Sequence, residues 1–148
     1  MSRITPADEL QPIESIVTAH PSGIGIAEIG LRDDGGMVRA MLQVGADGLV
    51  VEAKGGGHVT PCVADALDAA RGTIPMVLAA RTGAGESLAS TYGFLGSEIV
   101  LQRCGLVRSG CLDGIKARML STLFLLCRGN FNTEEVKNVL WPWGGAGA

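Results

Sequence analysis

The stretch Gly45–His58, with the sequence GADGLVVEAKGGGH, decides the fold of this 148-residue chain. Its residues Leu49, Val50 and Val51 form an unbroken apolar run, which is typical of a parallel strand covered on both faces. The run leads into glycines 55–57, whose backbone can take a positive φ and approach a neighbouring group closely. Because ligands of open α/β sheets bind beyond the carboxyl ends of strands, this turn is a candidate binding site by its position.

The glycine turn also has a simpler interpretation, since glycine-rich turns between strands and helices are common in α/β proteins. It does not match the motifs that bind phosphate groups. The dinucleotide pattern G-x-G-x-x-G is absent, and Gly23-Ile24-Gly25 lacks the third glycine. No G-x-x-x-x-G-K-[ST] loop is present either. We therefore expect no nucleotide and no other cofactor.

Strand and helix patterns alternate along the chain. Apolar runs predict strands over Ile13–Thr18, around Val50, over Ile74–Ala80 and at Leu106–Val107. Helical spacing and capping residues predict helices over Met37–Val44, from Thr60 to Gly72, from Glu98 to Cys104 after Ser97, from Asp113 and from Asn132. The glycine-rich stretch from His20 to Gly36 receives no strand. The alternation predicts a three-layer α/β/α domain, Rossmann-like, with a mostly parallel sheet of about four strands.

The length of the chain suits one domain and leaves little room for a second. We expect a polar leader over residues 1–12, the α/β domain over residues 13–140 and a flexible tail over residues 141–148.

Composition and charge exclude several classes of partner. The net charge is −3 and the basic residues are scattered, which argues against binding to nucleic acid. The N-terminus has no secretory pattern, and the apolar run Leu120–Cys127 is too short to span a membrane. We therefore expect a cytoplasmic protein. With 47% hydrophobic and 18% charged residues, an interface with a second copy or another domain is expected as well.

Neither a metal site nor a nucleophile is indicated by the reactive residue types. The cysteines form no C-x-x-C pair, and only His20 and His58 could join them as metal ligands. We expect the cysteines to be reduced and packed. No G-x-S-x-G motif exposes a serine, and nothing in the spacing selects one Cys–His pair for catalysis.

Four segments together resemble the C-terminal domain of the bacterial-type L-asparaginase/glutaminase family, which are amidohydrolases with a threonine nucleophile. These segments are Gly45–Gly48, Gly55–His58, Ile74–Gly83 and Leu112–Arg118. The resemblance extends from about Ile16 to Gly129. It implies an asparaginase C-domain fold, and it implies that an N-terminal domain carries the nucleophile. The threonine segments of that domain are absent here, so the resemblance implies no catalytic residue in this chain and no activity of the chain alone.

For the site, the resemblance implies that this domain forms one wall of a neighbouring subunit's active site. A polar residue at the end of the glycine turn, beside Gly57, falls on His58, where asparagine is common in the family. An acidic residue that meets the α-ammonium group of the substrate falls on Glu98. A carboxylate suits this role because charge-assisted hydrogen bonds are short and strong. The simpler alternatives are a partly exposed turn residue for His58 and a helix-dipole partner for Glu98.

Three interpretations of function remain. The first is the C-terminal domain of an L-asparaginase-like amidohydrolase, with an N-terminal asparaginase domain or a second copy as its partner. The second is a stand-alone, non-catalytic module that dimerises or senses a small amino acid. The third is a flavodoxin-like or receiver-type domain, which is weaker because Glu52-Ala53-Lys54 after the central strand is not an acidic cluster. We adopt the first.

Overall fold

A single all-parallel sheet organises the domain. The computed structural model describes residues 23–83, 85–129 and 132–145. Within these residues the sheet has four strands in the order β1-β2-β3-β4. They are β1 (Ile24–Glu28), β2 (Gly48–Ala53), β3 (Met76–Ala80) and β4 (Leu106–Arg108). Every neighbouring pair is parallel, which confirms the predicted α/β class and the parallel sheet.

Helices cover both faces of this sheet. In the described part of the chain they are α1 (Gly36–Gln43), α2 (Pro61–Ala69), α3 (Glu98–Arg103), α4 (Gly114–Arg128) and α5 (Thr133–Leu140). The core on one face includes Val38 of α1, Leu67 of α2 and Leu101 of α3. The core on the other face includes Leu125 of α4 and Leu140 of α5. None of the described helices is both long and apolar enough to cross a membrane.

The central strand β2 explains the unbroken apolar run. Leu49 and Val51 point into the core formed with α1, α2 and α3, whereas Val50 points into the core formed with α4 and α5. All three side chains are 0% exposed. Because successive side chains of a strand alternate between its faces, a strand covered on both sides needs apolar residues at every position.

The first strand was not predicted. β1 lies within the glycine-rich stretch from His20 to Gly36, so the expectation of no strand there is wrong. A Cβ atom on Gly25 would lie 2.9 Å from the sulfur of Met41, so the glycine allows α1 to pack directly on this strand. The strand predicted over Ile13–Thr18 lies outside the described residues.

The helix starts largely follow the predicted capping residues. Thr60 Oγ1 accepts a hydrogen bond from Val63 N–H at 3.3 Å, and Asp113 Oδ1 accepts one from Lys116 N–H at 2.8 Å. Asn132 forms a capping box with Glu135. Ser97 is the exception, because its hydroxyl donates to the Tyr92 carbonyl at 2.7 Å and does not cap α3.

Residues 141–145 pack beside the end of β4. Trp141–Trp143 forms one 3₁₀ turn, and the Trp143 carbonyl accepts a hydrogen bond from Cys111 N–H at 2.9 Å. Gly145 N–H donates to the Leu140 carbonyl at 3.1 Å. The bond from Cys111 holds the turn against the loop that follows β4, and the bond from Gly145 ties the turn to the end of α5. The domain limits at residues 12 and 140 stay predictions.

Candidate functional site

The glycine turn after β2 fixes the backbone of His58. Lys54 N–H donates to the His58 carbonyl and His58 N–H donates to the Lys54 carbonyl, both at 2.9 Å. Gly57 has φ +110°, a conformation that side-chain-bearing residues rarely adopt. A Cβ atom on Gly57 would lie 3.3 Å from Leu78 Cδ2. The turn is therefore a tight loop at the carboxyl end of the sheet, and at Gly57 it packs against Leu78 of β3.

A second segment, residues 85–97, lies over this turn, and we call it the site loop. Leu88 N–H donates to the Gly56 carbonyl at 2.8 Å, and Val59 N–H donates to the Gly96 carbonyl at 2.9 Å. A Cβ atom on Gly56 would lie 2.5 Å from Leu88 Cδ1, so a larger residue there would require the Leu88 side chain to move. Two backbone hydrogen bonds thus join the glycine turn to the site loop, one near the start of the loop and one near its end.

Glu98 begins α3 directly after the site loop, and its side chain is 0% exposed. Its Oε1 atom accepts hydrogen bonds from Thr91 N–H and Tyr92 N–H, both at 2.7 Å. Burial by itself raises the pKa of Glu98, but the hydrogen bonds from backbone N–H groups and from His58 outweigh it. The pKa therefore lies below the ordinary value for a carboxyl group, and Glu98 is ionised at neutral pH.

His58 is the side chain that contacts the other oxygen of this carboxylate. Its Nε2 atom lies 3.2 Å from Glu98 Oε2, and its side chain is 27% exposed. Because an ionised carboxylate can only accept hydrogen bonds, Nε2 is protonated and donates a hydrogen bond to Glu98 Oε2. The imidazole also meets two rings of the site loop edge-on, with centroid distances of 5.1 Å to Tyr92 and 5.0 Å to Phe94. We call these three rings the aromatic cluster.

The structure brings together all the site residues named from the sequence. Glu98 Cβ lies 3.6 Å from the position of a Cβ atom on Gly57, and His58 reaches Glu98 across 40 residues of sequence. Tyr92 and Phe94, which complete the cluster, were not predicted from the sequence, and neither was the backbone of Thr91. The aromatic residues, which are rare in this chain at 4%, are the one signal in this segment that could have drawn attention to them.

Arg108 and Ser87 lie beside the site with unsatisfied polar atoms. Ser87 Cβ lies 3.6 Å from the position of a Cβ atom on Gly57, and Arg108 Nη1 donates to the Ser87 carbonyl at 3.3 Å. Arg108 is 8% exposed and Ser87 is 2% exposed. Arg108 Nε and Ser87 Oγ have no hydrogen-bond partner within the described ranges. The burial of Arg108 was not predicted from the sequence.

Replacing the arginine by a similarly long apolar side chain is expected to stabilise the domain. The substitution removes a buried donor without a partner, which costs about 1–3 kcal/mol, and also loses the 3.3 Å bond to the Ser87 carbonyl, which contributes about 1 kcal/mol. Arg108→Met is therefore expected to raise the free energy of unfolding by about 1 kcal/mol. Urea denaturation measures this. The matched control is Arg118→Met, because Arg118 Nε donates to the Ile24 carbonyl at 2.8 Å and its loss is expected to destabilise. A loss of stability in Arg108→Met would show that its guanidinium is satisfied in solution.

The described residues do not include a group of three or more His, Cys, Asp or Glu side chains that could hold a metal ion. All four cysteines are free. The expectation that they are packed is wrong for Cys62 and Cys111, which are exposed. Cys104 is buried, and burial raises the pKa of its thiol. His20 lies outside the described residues.

The fold and the site define an α/β domain with a buried, ionised carboxylate beside a glycine turn at the carboxyl ends of its parallel strands. The family model of the glutaminase/asparaginase C-terminal domain matches residues 6–140. The chain therefore belongs to this family, which confirms the resemblance found in the sequence. A search of curated proteins gave no match.

Proposed function

We propose that this chain is the C-terminal domain of an L-asparaginase-like amidohydrolase and forms part of its substrate-binding wall and its subunit interface. The complete two-domain enzyme converts L-asparagine and water to L-aspartate and ammonia. The nucleophile belongs to the N-terminal domain, so this chain alone is inactive. The observation that carries the proposal is the buried, ionised Glu98 carboxylate beside the glycine turn, in a chain of this family.

The chemistry of Glu98 suits the α-ammonium group of an amino acid. An ionised carboxylate accepts about four hydrogen bonds, and a bond between it and a cation is shorter and stronger than a neutral one. Backbone N–H groups hold Oε1, whereas His58 is the partner found for Oε2 in the described residues. One oxygen is therefore fixed and the other is available for exchange. Gly57 and His58 form the adjoining part of the proposed wall.

An exposed apolar face supports the proposed interface. Ile115, Met119 and Leu123 recur every four residues along α4 and are 69%, 61% and 52% exposed. Exposed apolar patches of this kind favour contact with another protein surface. The same face also supports the second candidate, a stand-alone module that dimerises without catalysis or senses an amino acid. The two candidates share an interface and differ in whether an N-terminal asparaginase domain joins it.

An NMR titration of the full chain tests the ammonium site. The amide signals of Thr91 and Tyr92 report on Glu98, because both N–H groups donate to its carboxylate. We expect L-aspartate to shift these signals and succinate to leave them unchanged, since succinate has the same two carboxylates without the ammonium group. Glu98→Gln is expected to remove the response to L-aspartate. Equal shifts with both ligands would contradict the proposed role of Glu98.

A further inference from the structure

The two oxygens of the Glu98 carboxylate are held very differently. Oε1 accepts two backbone hydrogen bonds of 2.7 Å, whereas Oε2 meets the imidazole of His58 at 3.2 Å. A hydrogen bond from a cation to a carboxylate is about 2.7–2.9 Å long, so the His58 contact is loose by comparison. Since the Glu98 side chain is 0% exposed and that of His58 is 27% exposed, the imidazole is the part of this pair that solvent reaches.

We propose that the imidazole of His58 occupies the place at Glu98 Oε2 that a ligand's primary ammonium group takes, so that a ligand must displace it. His58 is then an internal competitor that sets the affinity of the site. This inference rests on the proposed function, in which Glu98 binds an ammonium group.

The surroundings of His58 allow its side chain to move without its backbone. Two hydrogen bonds of 2.9 Å to Lys54 fix the main chain of His58, so displacement needs rotation of the side chain alone. Among the described residues the aromatic contacts of the imidazole are with Tyr92 and Phe94, and these two residues are 45% and 50% exposed. A ring that is packed against half-exposed neighbours can turn outward at little cost in buried area.

The rest of the site stays in place when His58 moves. Ser97 Oγ donates to the Tyr92 carbonyl at 2.7 Å, and Ser97 N–H donates to the Phe94 carbonyl at 2.9 Å. The backbone at Tyr92 and at Phe94 is therefore fixed by hydrogen bonds to Ser97, so both rings are expected to keep their positions. An ammonium group at Glu98 Oε2 would lie near these rings, whose π-electrons attract cations.

The need to displace His58 from Glu98 determines which class of ligand the site can bind. A primary ammonium group can replace the lost Nε2–H bond and supplies further donors, as the α-amino group of an amino acid does. A quaternary ammonium group has no N–H and cannot replace that bond. The site is therefore expected to accept methylammonium or L-aspartate and to reject tetramethylammonium, although all three carry a cationic nitrogen.

The affinity of the full chain for L-aspartate, measured by the NMR titration, tests the proposal. A competitor that is bound through one hydrogen bond weakens a ligand roughly three- to tenfold, so His58→Ala is expected to lower Kd by about that factor. In the wild-type chain, saturation is expected to shift the ¹⁵N signal of His58 Nε2 toward that of an imidazole without a carboxylate partner. This second measurement needs no substitution, so it holds even if His58→Ala loosens the aromatic cluster.

The outcomes separate this inference from the proposed function. Loss of the L-aspartate response in Glu98→Gln, with tighter binding in His58→Ala, supports both. If Glu98→Gln loses the response but His58→Ala binds more weakly, His58 contacts the ligand directly, and the displacement proposal is overturned while the ammonium site stands. An unchanged response in Glu98→Gln overturns the proposed function and this inference with it. An unmoved Nε2 signal at saturation overturns displacement alone.

Discussion

Gly96→Ala is expected to lower the free energy of unfolding by about 3 kcal/mol or more, and to disturb the candidate site as it does so. Gly96 has φ +89°, and a Cβ atom there would lie 2.3 Å from the Val59 carbonyl oxygen. The obstructing atom belongs to the backbone next to His58, so it cannot turn away as a flexible side chain could. Urea denaturation measures the loss, and the Val59 amide signal reports the broken bond to Gly96.

Gly72→Ala is the matched control for this substitution. Gly72 has φ +75° and nothing within 4 Å of the position of its Cβ atom. It therefore carries the conformational penalty of a positive φ, about 1 kcal/mol, without the collision. Equal losses in the two variants would show that a Cβ atom at position 96 does not collide with the Val59 carbonyl, and would contradict the close contact between the site loop and the glycine turn.

Glu98→Ala has the second largest expected effect, a loss of about 3 kcal/mol in the free energy of unfolding. The substitution leaves Thr91 N–H, Tyr92 N–H and the imidazole of His58 without their acceptor, and it opens a space in a fully buried position. Glu98→Gln keeps a carbonyl acceptor and the side-chain volume, so a smaller loss is expected. Chemical denaturation at neutral pH compares the three proteins. Equal stability of wild type and Glu98→Ala would contradict these contacts.

The same carboxylate makes stability depend on acid pH. The pKa of Glu98 is lowered in the folded state, whereas the pKa of a glutamate in the unfolded chain is about 4.3. Its contribution is therefore complete above the unfolded pKa and is lost as the pH falls through the folded pKa. Wild type is expected to lose more stability than Glu98→Gln between neutral and strongly acid pH. The pKa of Asp113 is also lowered, by Lys116, but this affects both proteins equally. Parallel stability curves would contradict the prediction.

The sheet could be predicted where side-chain pattern and burial agree. β2 is covered on both faces, so Leu49, Val50 and Val51 are apolar in succession, and glycines mark the end of the strand. β1 could not be predicted in this way. Its five residues are in turn buried, partly buried, partly buried, buried and exposed, so they show no regular alternation. Gly25 is also typical of a turn, although in the structure it makes room for Met41. Tertiary packing, which a local pattern does not contain, decides such a strand.

The site was predictable as a set of residues but not as a set of contacts. His58 and Glu98 were named from the family resemblance, His58 as the end of the glycine turn and Glu98 by its distance from the motif at Lys116–Arg118. Their contact depends on the path of the site loop, which has no helix or strand periodicity to predict it. The burial of Arg108 could not be predicted from the sequence either, because a charged residue at the end of a three-residue strand is usually exposed.

Ammonia release from L-asparagine tests most directly whether this chain forms part of an amidohydrolase site. The full chain is assayed alone and after mixing with a separately expressed N-terminal asparaginase domain, with the Glu98→Gln chain mixed in parallel. We predict no release by the chain alone, release by the wild-type mixture above that of the N-terminal domain alone, and a higher KM for L-asparagine in the Glu98→Gln mixture. Release by the chain alone at an enzymatic rate, or equal KM values for the two mixtures, would contradict the account.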